Sequence, residues 1–448
     1  MENYEILVIG GGPAAITIAK ILGKKKMVGV IRPEDHSMIY CAMPYAIEGI
    51  VGMEKTLKSD SLVTDAGAKL IRDKVSSVDF EKKTVLTEGG KAIGYEKLVI
   101  ATGSDPFLPP IEGNDYKGVH VFKSEHDLKQ MNEAVKGKKL EKAVVVGAGA
   151  IGVELALALQ QCGLETHIVD MADSVLPNLL DPDMAGPAEE QLAKAGLTLH
   201  LGQKTEKIIG DGKAEKVALD NGEVIDLTGE NSSYGIVAFS VGMRAGVEIF
   251  RETKLEIGRT GIVIDNKMRT NIPDVYAMGD CAQFVSGITG EISEGKLATN
   301  AVPMARMFAK NILGAGREYK GFFNGAATRV GDVFVGGTGL SEQAARGKYN
   351  VVTGVAELTT TFPIMPEAKP VKMKMVADAD TMRVLGAQVV SGSPVADKID
   401  TITLAIQNEL TVNDLTEFSY SAQPYQSFFP ANNLIVACAE EILSKTGE

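Results

Sequence analysis

Unbroken apolar runs along the chain stop at glycines and give way to helical periodicity. Residues 6–9 (Ile-Leu-Val-Ile) run into Gly10-Gly11-Gly12, and apolar positions then recur at helical spacing over 16–22. The same order returns at 144–146 (Val-Val-Val), Gly147-Ala148-Gly149 and 153–159. A short run that is apolar at every position predicts a strand covered on both faces, as in a parallel sheet between helices. Residues 97–103, 236–242 and 275–280 read as further strands, each ending in a glycine turn, and 298–312 as a helix. Pro106, Pro109 and Pro110 mark a boundary between domains. From about Gly321 the texture changes to alternation, as at 371–376, followed by helices predicted over 395–410 and 434–443.

These elements predict an α/β fold with two Rossmann-like domains and a C-terminal α+β domain. The first domain takes residues 1–110 and 243–320, the second 111–242, and the third 321–448.

Composition narrows the function. The net charge of −12 argues against a nucleic-acid partner, which needs a basic surface. No apolar run approaches the roughly 20 residues of a membrane span. The N-terminus enters its first strand with no basic segment or cleavage site, so it reads as core and not as a signal peptide. Four scattered cysteines suggest reduced thiols, and the five histidines lack metal-ligand spacing, so a cytoplasmic enzyme with no metal is expected.

The two glycine turns carry the chemistry. Each follows an apolar strand and opens a helix, the context in which such glycines cradle a pyrophosphate. The candidate contacts are Gly10, Gly12, Pro13, Ala14 and Ala15 in the first copy, and Gly147, Gly149, Ala150, Ile151 and Gly152 in the second. The helix N-terminus adds free N–H groups and partial positive charge. Asp170 ends the next strand 23 residues past Gly147, where an acid accepts from an adenosine ribose and repels a 2′-phosphate. NADH is therefore expected over NADPH. In the first copy Arg32-Pro33-Glu34-Asp35 stands at the corresponding place, and whether Arg32 or Glu34 meets the ribose is left open by spacing.

The run Ile9 to Ala15, the Ala101-Thr102-Gly103 turn, Ala148 to Glu154 and Ala277-Met278-Gly279-Asp280 follow the order of one family. The chain resembles the pyridine nucleotide–disulfide oxidoreductases over nearly its full length. The resemblance implies FAD held by the first copy with Ala101, Thr102, Gly103, Asp280 and the helix starting at Ala298. It implies a nicotinamide nucleotide on the second, with Gly242, and Glu154 near the nicotinamide.

Ser37 to Tyr45 distinguishes branches of that family. A second cysteine would stand at Ala46, so the segment is similar to the single-cysteine branch of coenzyme A–disulfide reductases, persulfide or polysulfide reductases and NADH oxidases. That likeness makes Cys41 the redox centre and Ser37 and Tyr40 substrate contacts, with Tyr40 where asparagine is usual. Tyr420, with Pro430 and Asn432 beyond it, matches the branch's tyrosine that reaches across a homodimer and protonates the leaving thiolate. Two departures stand out. Ile364-Met365-Pro366 lacks the second tyrosine of coenzyme A–disulfide reductases, and Gly12-Pro13-Ala14 lacks the histidine of many oxidases and peroxidases.

The expected reaction passes electrons from NADH through FAD and Cys41 to a small disulfide, persulfide or polysulfide, with coenzyme A as a candidate ligand. An NADH oxidase and an electron-transfer flavoprotein serving a protein partner are the alternatives. Cys162, Cys281 and Cys438 are expected to pack in the core.

Overall fold

The computed structural model describes residues 1–137 and 140–447, and the chain divides into two compact units. Unit 1 comprises Met1–Ala46, Val51–Phe107 and Gly242–Phe322. Unit 2 comprises Ile47–Ile50, Leu108–Val241 and the chain from Phe323 onward.

In unit 1 the strand Glu2–Ile9 lies between Val28–Arg32 and Ala92–Ile100, all parallel, with Lys69–Arg72 beyond Val28–Arg32. The short strand Val275–Ala277 runs parallel beside the end of Ala92–Ile100. Register places Ile9 beside Ile31 and Ile100, and Ala277 beside Ile100, so these four strands end together. The apolar runs are explained by burial on both faces: Leu7, Val8, Leu98 and Val99 are wholly inaccessible. Helices Pro13–Leu22 and Ala298–Ile312 pack together, burying Ile18, Leu22, Met304 and Phe308. The run expected over 275–280 is strand only to Ala277, because the chain turns at Gly279, whose φ is +75°.

Unit 2 contains a parallel sheet in the order Val119–Val121, Ile236–Phe239, Lys142–Val146, Glu165–Asp170, Thr198–Leu201. Helix Ala150–Gln161 follows its central strand. Thr205–Ile209, Lys216–Leu219 and Val224–Asp226 form a small antiparallel sheet, and a larger antiparallel sheet runs in the order Ala326–Val330, Val333–Gly339, Val384–Ser391, Pro370–Asp378, Val351–Thr359. One face packs on helices Ala396–Gln407 and Leu434–Thr446: a Cβ on Gly336 would strike Ile399, and one on Gly354 would meet Ile442. The final helix runs past residue 443 and stops where Gly447 adopts φ +81°.

Helices Glu125–Lys136 and Pro182–Lys194 were not singled out by periodicity. Ser124 and Asp127 form a capping box that starts the first of these.

Candidate dinucleotide sites and the exposed cysteine

In unit 1 the functional residues gather at the carboxyl ends of parallel strands, where open α/β sheets take their ligands. Gly10 has φ +112°, and a Cβ there would overlap the Ala101 carbonyl, so this turn admits only glycine. A Cβ on Gly12 would meet nothing within 4 Å, which leaves open space in front of the helix Pro13–Leu22. Gly12 caps that helix without a side-chain acceptor, so its first amides remain free for an anion. Ala14 and Ala15 are buried.

The Ala101–Gly103 turn is fastened by Thr102 Oγ1, which donates to Gly246 O at 2.6 Å, and by Gly246 N–H, which donates to Gly103 O at 2.9 Å. The Asp280 carboxylate accepts from Ser104 Oγ at 3.0 Å, and its carbonyl accepts from Lys296 Nζ at 3.0 Å. Ser104 and Lys296 carried no sequence signal, since their residue types are too common to stand out. Ala298 opens its helix, exposed.

Strand Ser37–Met38 pairs with Leu57–Lys58 and leads into the tight turn Tyr40–Ala42 and the helix Met43–Glu48. Ser37 is buried, whereas Tyr40 and Cys41 are exposed. Partial burial of its ring and the Glu34 and Asp280 carboxylates raise the Tyr40 hydroxyl above its usual range. Tyr40 therefore stays neutral at physiological pH and lies within the field of Asp280.

Each of the other three thiols donates to a backbone carbonyl, and two of them are buried. Cys281 Sγ donates to Ile100 O and Met278 O, both at 3.4 Å, and Cys438 Sγ to Met373 O at 3.4 Å. Burial pushes both thiols up, Cys438 to about 12. Cys162 is only half-buried, because it caps the Ala150–Gln161 helix, and its Sγ donates to Ile47 O at 3.3 Å. Cys41 is the exposed cysteine.

Unit 2 repeats the turn. A Cβ on Gly147 (φ +110°) would lie 2.6 Å from Ser240 O, and one on Gly152 would overlap Gly147 O. Gly149 faces open space and caps the helix that begins at Ala150, with Ile151 exposed in its first turn. Asp170 Oδ2 accepts from Ala148 N–H at 2.6 Å, and its Oδ1 from Ala172 N–H at 2.7 Å. Glu154 Oε1 accepts from Thr328 Oγ1 at 2.6 Å. Gly242 belongs to unit 1, where its carbonyl accepts from Phe107 N–H at 3.0 Å.

Tyr420 lies in the irregular stretch after helix Val412–Glu417 and is 41% exposed. Its hydroxyl donates to Pro430 O at 2.6 Å, which gives the ten-residue spacing a physical meaning. Asn432 ends the turn Pro430–Asn432.

Buried polar atoms without partners test the fit to dinucleotides. Arg32 Nε and Ser240 Oγ are both buried and unpaired among the described residues, and both stand at the carboxyl edges just described. With the open faces of Gly12 and Gly149, they suit one dinucleotide on each parallel sheet. Among the described residues no group of three or more His, Cys, Asp or Glu side chains is placed to hold a metal ion, and no helix is long and apolar enough to cross a membrane.

Two glycine cradles on two parallel sheets, with a single exposed thiol in the same unit as one of them, define a class of two-nucleotide redox proteins. Residues 4–305 match the pyridine nucleotide-disulphide oxidoreductase family, and residues 326–428 match that family's dimerisation domain. The chain is 33% identical to an NADH oxidase of Methanocaldococcus jannaschii, with 98% of each chain covered. It is 30% identical to an NAD(P)H coenzyme A polysulfide/persulfide reductase of Pyrococcus horikoshii, covering 94% of this chain and 95% of the relative. The solved NAD-dependent persulfide reductase from A. fulgidus superposes with a TM-score of 0.92 at 28% identity, over 99% of this chain and 84% of that one. The chain belongs to the pyridine nucleotide-disulphide oxidoreductases. It is an FAD-dependent oxidoreductase that works with a nicotinamide nucleotide.

Proposed function

We propose that the protein reduces a small disulfide, persulfide or polysulfide with NADH, using Cys41 as its redox-active thiol in a homodimer. The observation that carries this reading is the exposure of Cys41, next to Tyr40 in the field of Asp280, while the other thiols are bonded to carbonyls. Gly10, Gly12 and Asp280 would hold FAD, and Gly147, Gly149 and Asp170 would hold NADH. FAD, when bound, supplies two-electron carriage between nicotinamide and sulfur.

Cys41 attacks the acceptor's S–S bond as thiolate and releases one thiol, protonated by Tyr420 of the second copy. Two electrons from NADH then cleave the Cys41–substrate disulfide and release the second thiol. The sum is NADH, a proton and one disulfide giving NAD⁺ and two thiols. Coenzyme A is a candidate half of that disulfide, supported by the naming of the Pyrococcus horikoshii relative.

The similarity to the Methanocaldococcus jannaschii protein favours dioxygen as a second acceptor. An acceptor panel with Cys41→Ser decides between them. Sulfur acceptors should support faster NADH oxidation than dioxygen, and the variant should lose at least about 10²-fold of that turnover. Sulfur reduction at the wild-type rate by Cys41→Ser would remove the thiol from the reaction.

A further inference from the structure

We propose that His167 and His200 form a proton-sharing pair, which carries one positive charge between Glu165 and Glu223 and makes the hold between two sheets of unit 2 sensitive to pH.

Register brings the two rings together. His167 pairs with Thr198 and Val169 with His200, so alternation puts both imidazoles on the face of the parallel sheet that also carries Val169. The small antiparallel sheet covers that face, since Val144, Val146 and Val169 share a core with Ile208, Val217 and Ile225. His167 Nδ1 lies 3.1 Å from His200 Nε2. Ring centroids 5.3 Å apart, with planes inclined by 26°, make this an edge-to-edge contact. Each outer nitrogen meets a carboxylate at 3.3 Å: His167 Nε2 meets Glu165 Oε1, and His200 Nδ1 meets Glu223 Oε1. Glu165 shares a strand with His167, whereas Glu223 stands in the turn that leads into Val224–Asp226. The contacts thus tie the outer strand Thr198–Leu201 to the small sheet.

Counting protons fixes the charge. Each of the three contacts needs one N–H, because an ionised carboxylate only accepts and two facing nitrogens need a proton between them. A neutral imidazole carries one N–H and an imidazolium two. Two neutral rings leave one contact between lone pairs. Two imidazoliums set N–H against N–H across 3.1 Å. One ring of each kind supplies the three protons required. The side chains are only 13% and 9% exposed, so water is poorly placed to repair a mismatch. Burial above all lowers the His167 pKa from its ordinary 6.5; the Glu165 bond opposes this, and His200 and Lys142 add to it. His167 is therefore the neutral ring, donating to Glu165 and accepting from His200. The other charges around the pair are Lys142, on the neighbouring strand 3.9 Å from Glu165, and Asp226, which pairs with Lys216 in the field of Lys142. As pH falls below 6.5, the unfolded chain takes up both protons while the folded pair resists the second, so the hold weakens on acidification.

Nitrogen NMR of protein carrying isotope-labelled histidine tests the pair, each ring being assigned by its Gln variant. Between its two protonation steps, the wild-type pair should show three protonated ring nitrogens out of four. The steps should lie more than about one pH unit apart, with the signals of both rings moving in each. His200→Gln should raise the His167 step by about one pH unit, since the competing cation is gone. The wild-type melting temperature, taken relative to the His167→Gln/His200→Gln double variant, should fall as pH drops below 6.5. Wild type that passes directly from two to four protonated nitrogens overturns the pair, with no variant needed. A His167 step unmoved by His200→Gln overturns it too. A melting difference that stays constant with pH overturns the pH-sensitive hold.

Discussion

Asp170 Oδ2 accepts a hydrogen bond from Ala148 N–H at 2.6 Å, so the strand-end acid and the glycine turn of unit 2 form one arrangement. The second oxygen accepts from Ala172 N–H, so the carboxylate is held at the rim from both sides. Each oxygen still has capacity for a ribose hydroxyl.

Coenzyme choice follows from that fixed charge. A 2′-phosphate at the rim would meet a carboxylate that cannot turn away. A like-charge contact of on the order of 1.4 kcal/mol is tenfold, so kcat/KM for NADH should exceed that for NADPH by at least about tenfold. Asp170→Ala combined with Met171→Arg should narrow the gap, since Met171 is 71% exposed and an arginine there reaches solvent. Steady-state kinetics with both nucleotides reads this out, and a wild-type preference for NADPH defeats the argument.

Thiol accessibility gives a second expectation. A maleimide added to the native protein should label Cys41 first, at about one thiol per chain, because Cys281 and Cys438 are buried and bonded to carbonyls, and the half-buried Cys162 is bonded to Ile47 O with its thiol raised by burial. Mass spectrometry of the digested protein locates the label. Early modification at Cys281 or Cys438, with Cys41 spared, contradicts the structure.

The strands and glycine turns were legible because parallel strands buried on both faces must be apolar at every position. The Ala298–Ile312 helix was legible from a different pattern, apolar positions recurring at helical spacing. The packing of Arg32 was not legible, because it depends on the register of Ile9 with Ile31 and on the missing Cβ of Gly11, whose space the Arg32 stem fills. Lys374 was misleading. Within the alternation over 371–376 it reads as a solvent-facing lysine, yet it is 2% exposed, since its face of the sheet is covered by the start of helix Pro182–Lys194. Its amine lies 2.8 Å from Asp183 Oδ1, 3.2 Å from Asp181 and 2.6 Å from Glu342. Gln388 completes the cluster by donating to Asp181 at 2.7 Å.

That cluster predicts a stability effect with a defined pH sign. Lys374→Met removes the cation and leaves the buried Asp181 unneutralised, which should cost about 3 kcal/mol and lower the unfolding midpoint by several degrees. The bond to Lys374, opposed by burial and aided by Arg346, holds the Glu342 carboxyl below its ordinary 4.5. Its stabilisation is therefore fully present above about pH 4.5 and is lost as pH falls through the lower folded value. For Lys374, burial works downward, but Asp183, Glu342 and Asp181 outweigh it and the amine is raised above 10.5. Its contribution is present below that pH and is lost as pH climbs through the folded value. Thermal melts across pH should show the wild-type advantage over Lys374→Met shrinking at both extremes. A constant gap would mean the charges do not carry it.

The cross-subunit site is tested by subunit exchange. Cys41 belongs to unit 1 and Tyr420 to unit 2, within the stretch that matches the dimerisation domain. If each active site takes Cys41 from one chain and Tyr420 from the other, a C2 dimer carries two composite sites. Cys41→Ser and Tyr420→Phe homodimers should each be nearly inactive, the second by roughly 10²-fold for a lost general acid. In the mixed dimer one site inherits both defects and the other inherits neither. About half of wild-type activity per dimer should therefore return, as the pairing rule requires. Differently tagged chains, purified through both tags, verify the exchange. Because Tyr420→Phe also removes the bond to Pro430 O, wild-type-like melting of that variant is the control for a loosened tail. Verified heterodimers that recover no activity would place both residues in the same chain's site.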